Sequence, residues 1–208
     1  MIRQPRRQLD GTIDRVLALL QLFRSLTRTG RPPSHLSDLL RGAVVLTAAA
    51  LDAYMHDVIA TACPAAEGRG QLGAVARRWV DRDAALTTLP AGVARRRRVR
   101  ELVAAKLERT TIATSAAVTE QLRSVLGAGA PWATAAMAVS TAEDPVDELG
   151  VRARLDSFVT RRHRIAHLGD RTTRGGLAHI NADYVEDQAY LVTKIGDAVE
   201  KVVRDRLS

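Results

Sequence analysis

The chain has 208 residues, of which 46% are hydrophobic and only 3% aromatic, and its formal net charge is +8 at pH 7. This length allows one domain with a buried core, and the hydrophobic share excludes a disordered chain. The low aromatic content favours closely packed helices over a β-sandwich, whose strands prefer aromatic and β-branched residues. The basic excess favours an anionic partner such as nucleic acid.

Several features indicate a cytoplasmic protein without a membrane partner. The first residues, MIRQPRRQLDG, lack the apolar core of a signal peptide. Cys63 is the single cysteine, which excludes an internal disulfide framework. Charged residues interrupt the helical stretches before about 18 apolar residues accumulate, so we expect no helix to span a membrane.

Apolar residues at helical spacing predict two long helices in the first third of the chain. The first is expected over residues 10–28, with Asp10 as its N-cap. The proline-rich sequence GRPPS breaks it, and the second helix is expected to begin at Ser34 or Ser37 and to end near Cys63. Helices joined by so short a turn should pack antiparallel.

The middle of the chain is predicted to be helical with several interruptions. We expect, in order, a loop at 67–73, a short helix around Trp79, a turn at 89–92, one helix over 92–126 that Gly127 ends, and an alanine-rich helix over 132–139.

The last third is predicted to contain two long helices. The first, over 146–168, follows a loop, is stopped by Gly169 and has as its apolar positions Leu149, Leu155, Phe158, Val159 and Ile165. A polar loop or small hairpin should follow it, and Asn181 should cap the final helix. Together these elements predict an all-α bundle that forms one domain over 1–208.

The sequence FVTRRHRIAHLGD at 158–170 combines histidines and arginines at a helix end. His163 and His167 are four residues apart, so one helix face could present both rings to a metal ion. A third ligand would have to come from His179 or Asp170, and the neighbouring arginines would repel a dication. We therefore expect neither a metal nor a cofactor.

Other chemistry has weaker support. Cys63 lies at an apolar helix end, where a buried structural thiol is the common case. The sequence GRGQLG lacks the lysine of a phosphate-binding loop and follows no strand. The run Arg95, Arg96, Arg97 and Arg98 has two interpretations that stay open, a solvated helix face or a patch that contacts RNA phosphates.

An arginine and a histidine near an RNA phosphate are sufficient to propose cleavage of the strand. Arginine can stabilise the phosphate charge, histidine can transfer protons, and the adjacent 2′-hydroxyl is the nucleophile. Arg162 and His167 are five residues apart, so on a regular helix they point about 140° away from each other. A two-fold dimer would bring both pairs into one cleft. From the residues alone, a solvated helix end remains an equal alternative.

The sequence RLDSFVTRRHRIAHLGD resembles the signature of the HEPN superfamily, an arginine, a polar residue and, after variable positions, a histidine (R-x4–6-H). Here these are Arg162, His163 and His167. The upstream sequence LLRGAVVLTAAALDAYMHDVI resembles an early helix of the RiboL-PSP-HEPN branch, and the residues after the motif resemble its loop and last helix. The segment 65–140 resembles nothing in that branch and is interpreted as a helical insertion.

The resemblance implies a HEPN-like bundle that forms a symmetric homodimer with its motifs facing each other. It implies a metal-independent endoribonuclease of defence or toxin–antitoxin systems, with RNA as substrate and an antitoxin or defence-system protein as a further partner. By the same resemblance, Arg162 stabilises the phosphate, His167 transfers protons and His163 occupies the polar position. Arg161 offers an alternative spacing, and Arg164 an additional RNA contact. Some members bind RNA, nucleotides or proteins without cleaving, and that alternative stays open.

Overall fold

The computed structural model describes residues 3–27 and 34–208. In these residues the chain forms nine α-helices: α1 (Arg3–Leu26), α2 (Ser37–Gly68), α3 (Ala74–Arg82), α4 (Ala84–Thr88), α5 (Val93–Leu107), α6 (Ser115–Leu126), α7 (Trp132–Val139), α8 (Glu148–Leu168) and α9 (Ala182–Leu207). Over the same residues there is no β-strand, only an isolated antiparallel bridge between Arg171 and Leu177. The predicted all-α class is confirmed.

Helix α2 is the centre of the bundle. It contacts α1, α5, α6, α8 and α9, and apolar side chains are buried along its length because neighbours cover most of its faces. The segment 65–140, interpreted as an insertion, contributes to the same core as the rest of the chain, since Val99, Val103, Leu122 and Trp132 belong to one buried cluster with α2.

Because α2 is so apolar, it is long and hydrophobic enough to cross a membrane. Its most apolar 18-residue window has a mean hydropathy of 1.4, and 61% of that window is buried inside the fold. The core helix of a soluble protein meets the same criterion. Charged residues do interrupt the apolar residues of α2, at Arg41, Asp52 and Asp57. The absence of a membrane-spanning helix and of a membrane partner stays a prediction.

Helices α1 and α2 pack antiparallel, as their short connection predicts. Leu9 near the start of α1 and Tyr54 in the second half of α2 meet at Gly196 of α9, where the Tyr54 hydroxyl donates to the Gly196 carbonyl at 2.9 Å. Helix α1 is already regular at Arg3, so Asp10 is not its N-cap and instead accepts from Arg6 at 2.8 Å. Of the predicted turn at 30–34, residues 30–33 lie outside the described residues.

Helix α2 begins at Ser37, as predicted, but continues past Cys63 to Gly68 and includes Pro64. A proline inside a helix removes one backbone hydrogen bond. The helix persists because Ala62 and Ala66 on either side of Pro64 are fully buried against neighbouring helices.

The helix predicted over 92–126 is two helices, α5 and α6, separated by residues 108–114. Side chains from other helices hold this loop: Asp52 of α2 accepts the Ile112 N–H, and Asp156 of α8 accepts the N–H of Ser115. Thr114 adds a local cap by accepting the Ala117 N–H at 3.2 Å. Propensity alone could not predict this break, because two of its three causes are distant in sequence.

Helix caps account for the remaining boundaries. Gly127 ends α6 in the left-handed conformation, and Asn181 accepts the Tyr184 N–H at 2.9 Å to start α9, both as predicted. Helix α4 was not predicted. One predicted apolar position is also wrong, because Leu149 is 69% exposed whereas Val151 is fully buried.

Replacing Gly196 with alanine is expected to destabilise the fold, because its Cβ would lie 2.6 Å from the Leu9 Cδ2 atom in a buried junction. Overpacking of this kind costs about 1–3 kcal/mol in the free energy of unfolding, measured in urea. The matched control is Gly42→Ala in α2, where a Cβ meets nothing within 4 Å and helix propensity should stabilise by about 0.5–1 kcal/mol. Equal effects of the two substitutions would contradict the described junction.

Candidate functional site

The motif lies in the last turns of α8, which stays α-helical to Leu168. Gly169 then adopts a φ of +58°, and the N–H groups of Gly169 and Asp170 both donate to the Arg164 carbonyl. The predicted stop at Gly169 is thereby confirmed, and so is the position of His167 in the last turn.

A buried carboxylate anchors this helix end. Asp170 is 0% exposed, and its Oδ2 atom accepts from Arg161 at 2.7 Å and from Arg41 of α2 at 3.1 Å. The same two arginines donate to backbone carbonyls of the following loop, Arg41 to Ala178 at 2.8 Å and Arg161 to His179 at 3.0 Å. We call Arg41, Arg161 and Asp170 the buried ion network. It joins α8, α2 and the loop before α9.

The buried ion network uses the Arg161 guanidinium as a structural cation. This arginine was predicted as an alternative catalytic residue, but its charge is already balanced by Asp170. A charge that is withdrawn from solvent and paired does not exchange its partner for a substrate phosphate without exposing the buried carboxylate.

Arg162, the next residue, takes no part in the buried ion network. It is half-buried and makes neither an ion pair nor a hydrogen bond with any residue that the structure describes. Arg164 donates only a long contact, 3.5 Å, to the Arg171 carbonyl. All three motif arginines are half-buried, and Arg162 is the one that lacks a hydrogen bond or ion pair among the described residues.

Arg162 lines a groove of about 360 Å³. We call it the Arg162 groove. It lies between α2, the 108–114 loop and α8, and its lining residues are Ala48, Ala49, Asp52, Ala53, His56, Asp57, Thr111, Ala113, Val159 and Arg162.

The two motif histidines lie elsewhere on the helix. His163 and His167 are exposed, and their ring centroids are 4.5 Å apart with a tilt of 43°. Neither lines the Arg162 groove. Because α8 is regular over these residues, one chain does not bring Arg162 and His167 into a common pocket.

His163 and His167 lack the third ligand that a metal site requires among the described residues. In the part of the chain that is described, no three His, Cys, Asp or Glu side chains form a group that could hold a metal ion. Asp170, one of the two candidate third ligands, is held by two arginines inside the buried ion network.

The Arg162 groove contains a histidine that the sequence analysis did not identify. His56 Nε2 lies 2.7 Å from the Thr110 carbonyl oxygen and 3.8 Å from Asp52 Oδ1. Asp52 also accepts the Ile112 N–H at 2.5 Å. The available signal was the i, i+4 spacing of Asp52 and His56, which places two polar side chains on one face of an otherwise apolar helix.

The four consecutive arginines of α5 that were predicted to contact RNA differ in their ion pairs. Arg95 pairs with Glu67 at 2.7 Å, and Arg98 pairs with Asp83 and holds the pKa of that carboxyl below its ordinary value through a hydrogen bond. Arg96 and Arg97 are exposed, and Arg97 makes only a loose pair with Glu101 at 3.6 Å. Arg95 and Arg98 hold α5 against the fold, so Arg96 and Arg97 are the better placed for an RNA contact, which stays a prediction.

Cys63 is buried and unpaired. Burial raises the pKa of its thiol to about 12. A thiol that is protonated at neutral pH and shielded from solvent is a structural side chain and not a nucleophile.

Comparison with models of known protein families, with curated proteins and with solved structures gave no match.

Asp170→Asn is expected to destabilise the fold by about 3–5 kcal/mol, because it removes the buried carboxylate that pairs with both arginines. Arg161 then loses its ion pair, and Arg41 keeps only Asp38 of the same helix at 3.2 Å. Asparagine tolerates the left-handed backbone found at this position, φ +54°, so the substitution tests the charge. Urea unfolding measures the effect, and Asp14→Asn on the exposed face of α1 is the control. Equal midpoints for the two variants would show that the buried ion network does not stabilise the helix end.

Proposed function

We propose that the protein is a metal-independent endoribonuclease of the HEPN type that acts as a symmetric homodimer. The observation that carries the proposal is Arg162, a half-buried guanidinium that lacks a partner among the described residues and lines a groove. An unpaired, partly desolvated cation favours an anionic ligand, and its planar donors suit the two free oxygens of a phosphate diester.

The proposed reaction needs one cation and proton-transfer groups. Attack by the RNA 2′-hydroxyl forms a bond to phosphorus and breaks the bond to the 5′-oxygen, leaving a 2′,3′-cyclic phosphate and a 5′-hydroxyl. Arg162 stabilises the charge that grows on the phosphate oxygens. His167 transfers a proton, and His163 supports it through the ring contact at 4.5 Å.

The dimer is part of the proposal because Arg162 and His167 face different sides of α8. A second copy related by a two-fold axis can present its His167 to the Arg162 groove of the first. Two apolar side chains beside the motif support such a contact, since Leu168 is 61% and Leu177 46% exposed. Exposed apolar side chains next to a functional motif are typical of an interaction surface.

A cytoplasmic defence or toxin–antitoxin role, with an antitoxin or other defence protein as partner, belongs to the same proposal. It rests on the resemblance of the motif and on the net charge of +8, which favours RNA.

The second candidate is a non-catalytic HEPN module that binds RNA, a nucleotide or a partner protein. The separation of Arg162 from His167 within one chain favours it, because a groove with an unpaired arginine can bind a phosphate without any proton-transfer group. It predicts salt-sensitive binding without turnover.

Purified protein is expected to cleave labelled single-stranded RNA in the presence of EDTA and to leave 2′,3′-cyclic phosphate ends. Arg162→Ala and His167→Ala should each lower the rate about 100-fold or more, because each removes a group that acts in the transition state. Neither substitution should lower the unfolding midpoint, since neither side chain takes part in the buried ion network.

The control is Arg152→Ala, which removes another half-buried arginine of α8 that does not line the groove. Its rate should match that of the wild type. Binding of RNA without cleavage would support the second candidate, and equal cleavage by all variants would contradict the proposed roles of Arg162 and His167.

A further inference from the structure

The Arg162 groove contains three other titratable side chains from the same chain. Asp52, His56 and Asp57 of α2 line it together with Arg162 of α8. Within a single protomer, an arginine and a histidine therefore share one groove, although the motif histidines do not reach it.

The hydrogen bond of His56 sets the protonation of its ring. The Thr110 carbonyl can only accept, so the Nε2 atom 2.7 Å away must carry the proton. In the neutral ring, Nδ1 is then the unprotonated nitrogen with a free lone pair. His56 is thus held in the tautomer whose Nδ1 atom can accept a proton.

Asp52 lies one helical turn before His56 and close to its ring. Its Oδ1 atom lies 3.8 Å from His56 Nε2 and is itself held by the Ile112 N–H. A fixed carboxylate thus lies beside the ring on the side of Nε2, which leaves Nδ1 as the atom that can face a ligand.

The charges of the groove also indicate the ligand. Two carboxylates, Asp52 and Asp57, line the groove together with Arg162, so the groove combines hydrogen-bond acceptors with one cation. A ribose that carries a phosphate fits this combination, because carboxylates such as Asp57 accept hydrogen bonds from sugar hydroxyls while the arginine holds the phosphate. The volume of about 360 Å³ lies at the small end of pockets for small ligands and suits one nucleotide.

We propose that His56 is a catalytic base of the endoribonuclease and takes the 2′-hydroxyl proton of the nucleotide held by Arg162 of the same chain. This inference rests on the proposed function. His56 Nδ1 receives the proton, the 2′-oxygen bonds to phosphorus and the bond to the 5′-oxygen breaks. The leaving 5′-oxygen takes a proton from His167 of a second copy. His56 then releases its proton to water, and His167 takes one up from water, so both side chains return to their starting states.

His56 also has a structural role, which a test of base catalysis must leave intact. The ring also ties the 108–114 loop to α2 through Thr110, and glutamine can keep that bond because its amide nitrogen donates in place of Nε2. His56→Gln therefore preserves the tether and removes the base.

The test compares the cleavage rate of His56→Gln with that of His35→Ala, which removes an exposed histidine outside the groove. We expect His56→Gln to cleave about 100-fold more slowly with an unchanged unfolding midpoint, and His35→Ala to match the wild type. If His56→Gln cleaves within two-fold of the wild type, the inference is overturned while the proposed function stands. If the wild type cleaves no RNA, both are overturned.

RNA with sulfur in place of the scissile 5′-oxygen distinguishes loss of the catalytic base from loss of the catalytic acid. A thiolate leaves without protonation, so His167→Ala should recover most of the wild-type rate on this substrate, whereas His56→Gln should remain about 100-fold slow. Recovery of His56→Gln on the sulfur substrate would overturn its assignment as the base.

Discussion

The buried carboxylate of Asp170 is the constraint on which the candidate site depends. It follows the left-handed stop of α8 and accepts from Arg41 of α2 and from Arg161 of α8 itself. Because both arginines also bind carbonyls of the loop before α9, one charged group fixes the helix end against two other parts of the fold. This distinguishes two adjacent arginines: Arg161 is paired within the fold, whereas Arg162 has no hydrogen bond or ion pair with any residue in 3–27 or 34–208.

The second constraint is the position of α2. Its apolar faces are covered by most of the other helices, while Asp52 and His56 on one face capture the 108–114 loop. That loop belongs to the segment 65–140, which resembles no part of the HEPN branch, yet it supplies Thr111 and Ala113 to the Arg162 groove. The segment is therefore a wall of the candidate site as well as part of the core. This arrangement explains how one groove can combine residues from opposite halves of the chain.

Periodicity and caps were sufficient to predict the helical class and the long helices that bound the site. Gly169 and Asn181 mark their boundaries through local backbone conformation and capping, both of which are properties of short sequences. The break between α5 and α6 could not be predicted in this way, because Asp52 and Asp156 impose it from a distance. For the same reason the motif spacing could not separate Arg161 from Arg162, nor reveal His56, whose significance depends on the loop that it holds.

In the proposed homodimer, Arg162 and His167 of one active site belong to different chains. Mixing inactive Arg162→Ala and His167→Ala proteins measures this directly, because a mixed dimer contains one site with both wild-type residues. Subunit exchange at equal concentrations should restore about a quarter of the wild-type cleavage rate, since about half of the dimers are mixed and each has one intact site. A mixture that stays as inactive as its components after demonstrated exchange would contradict a site assembled from two copies.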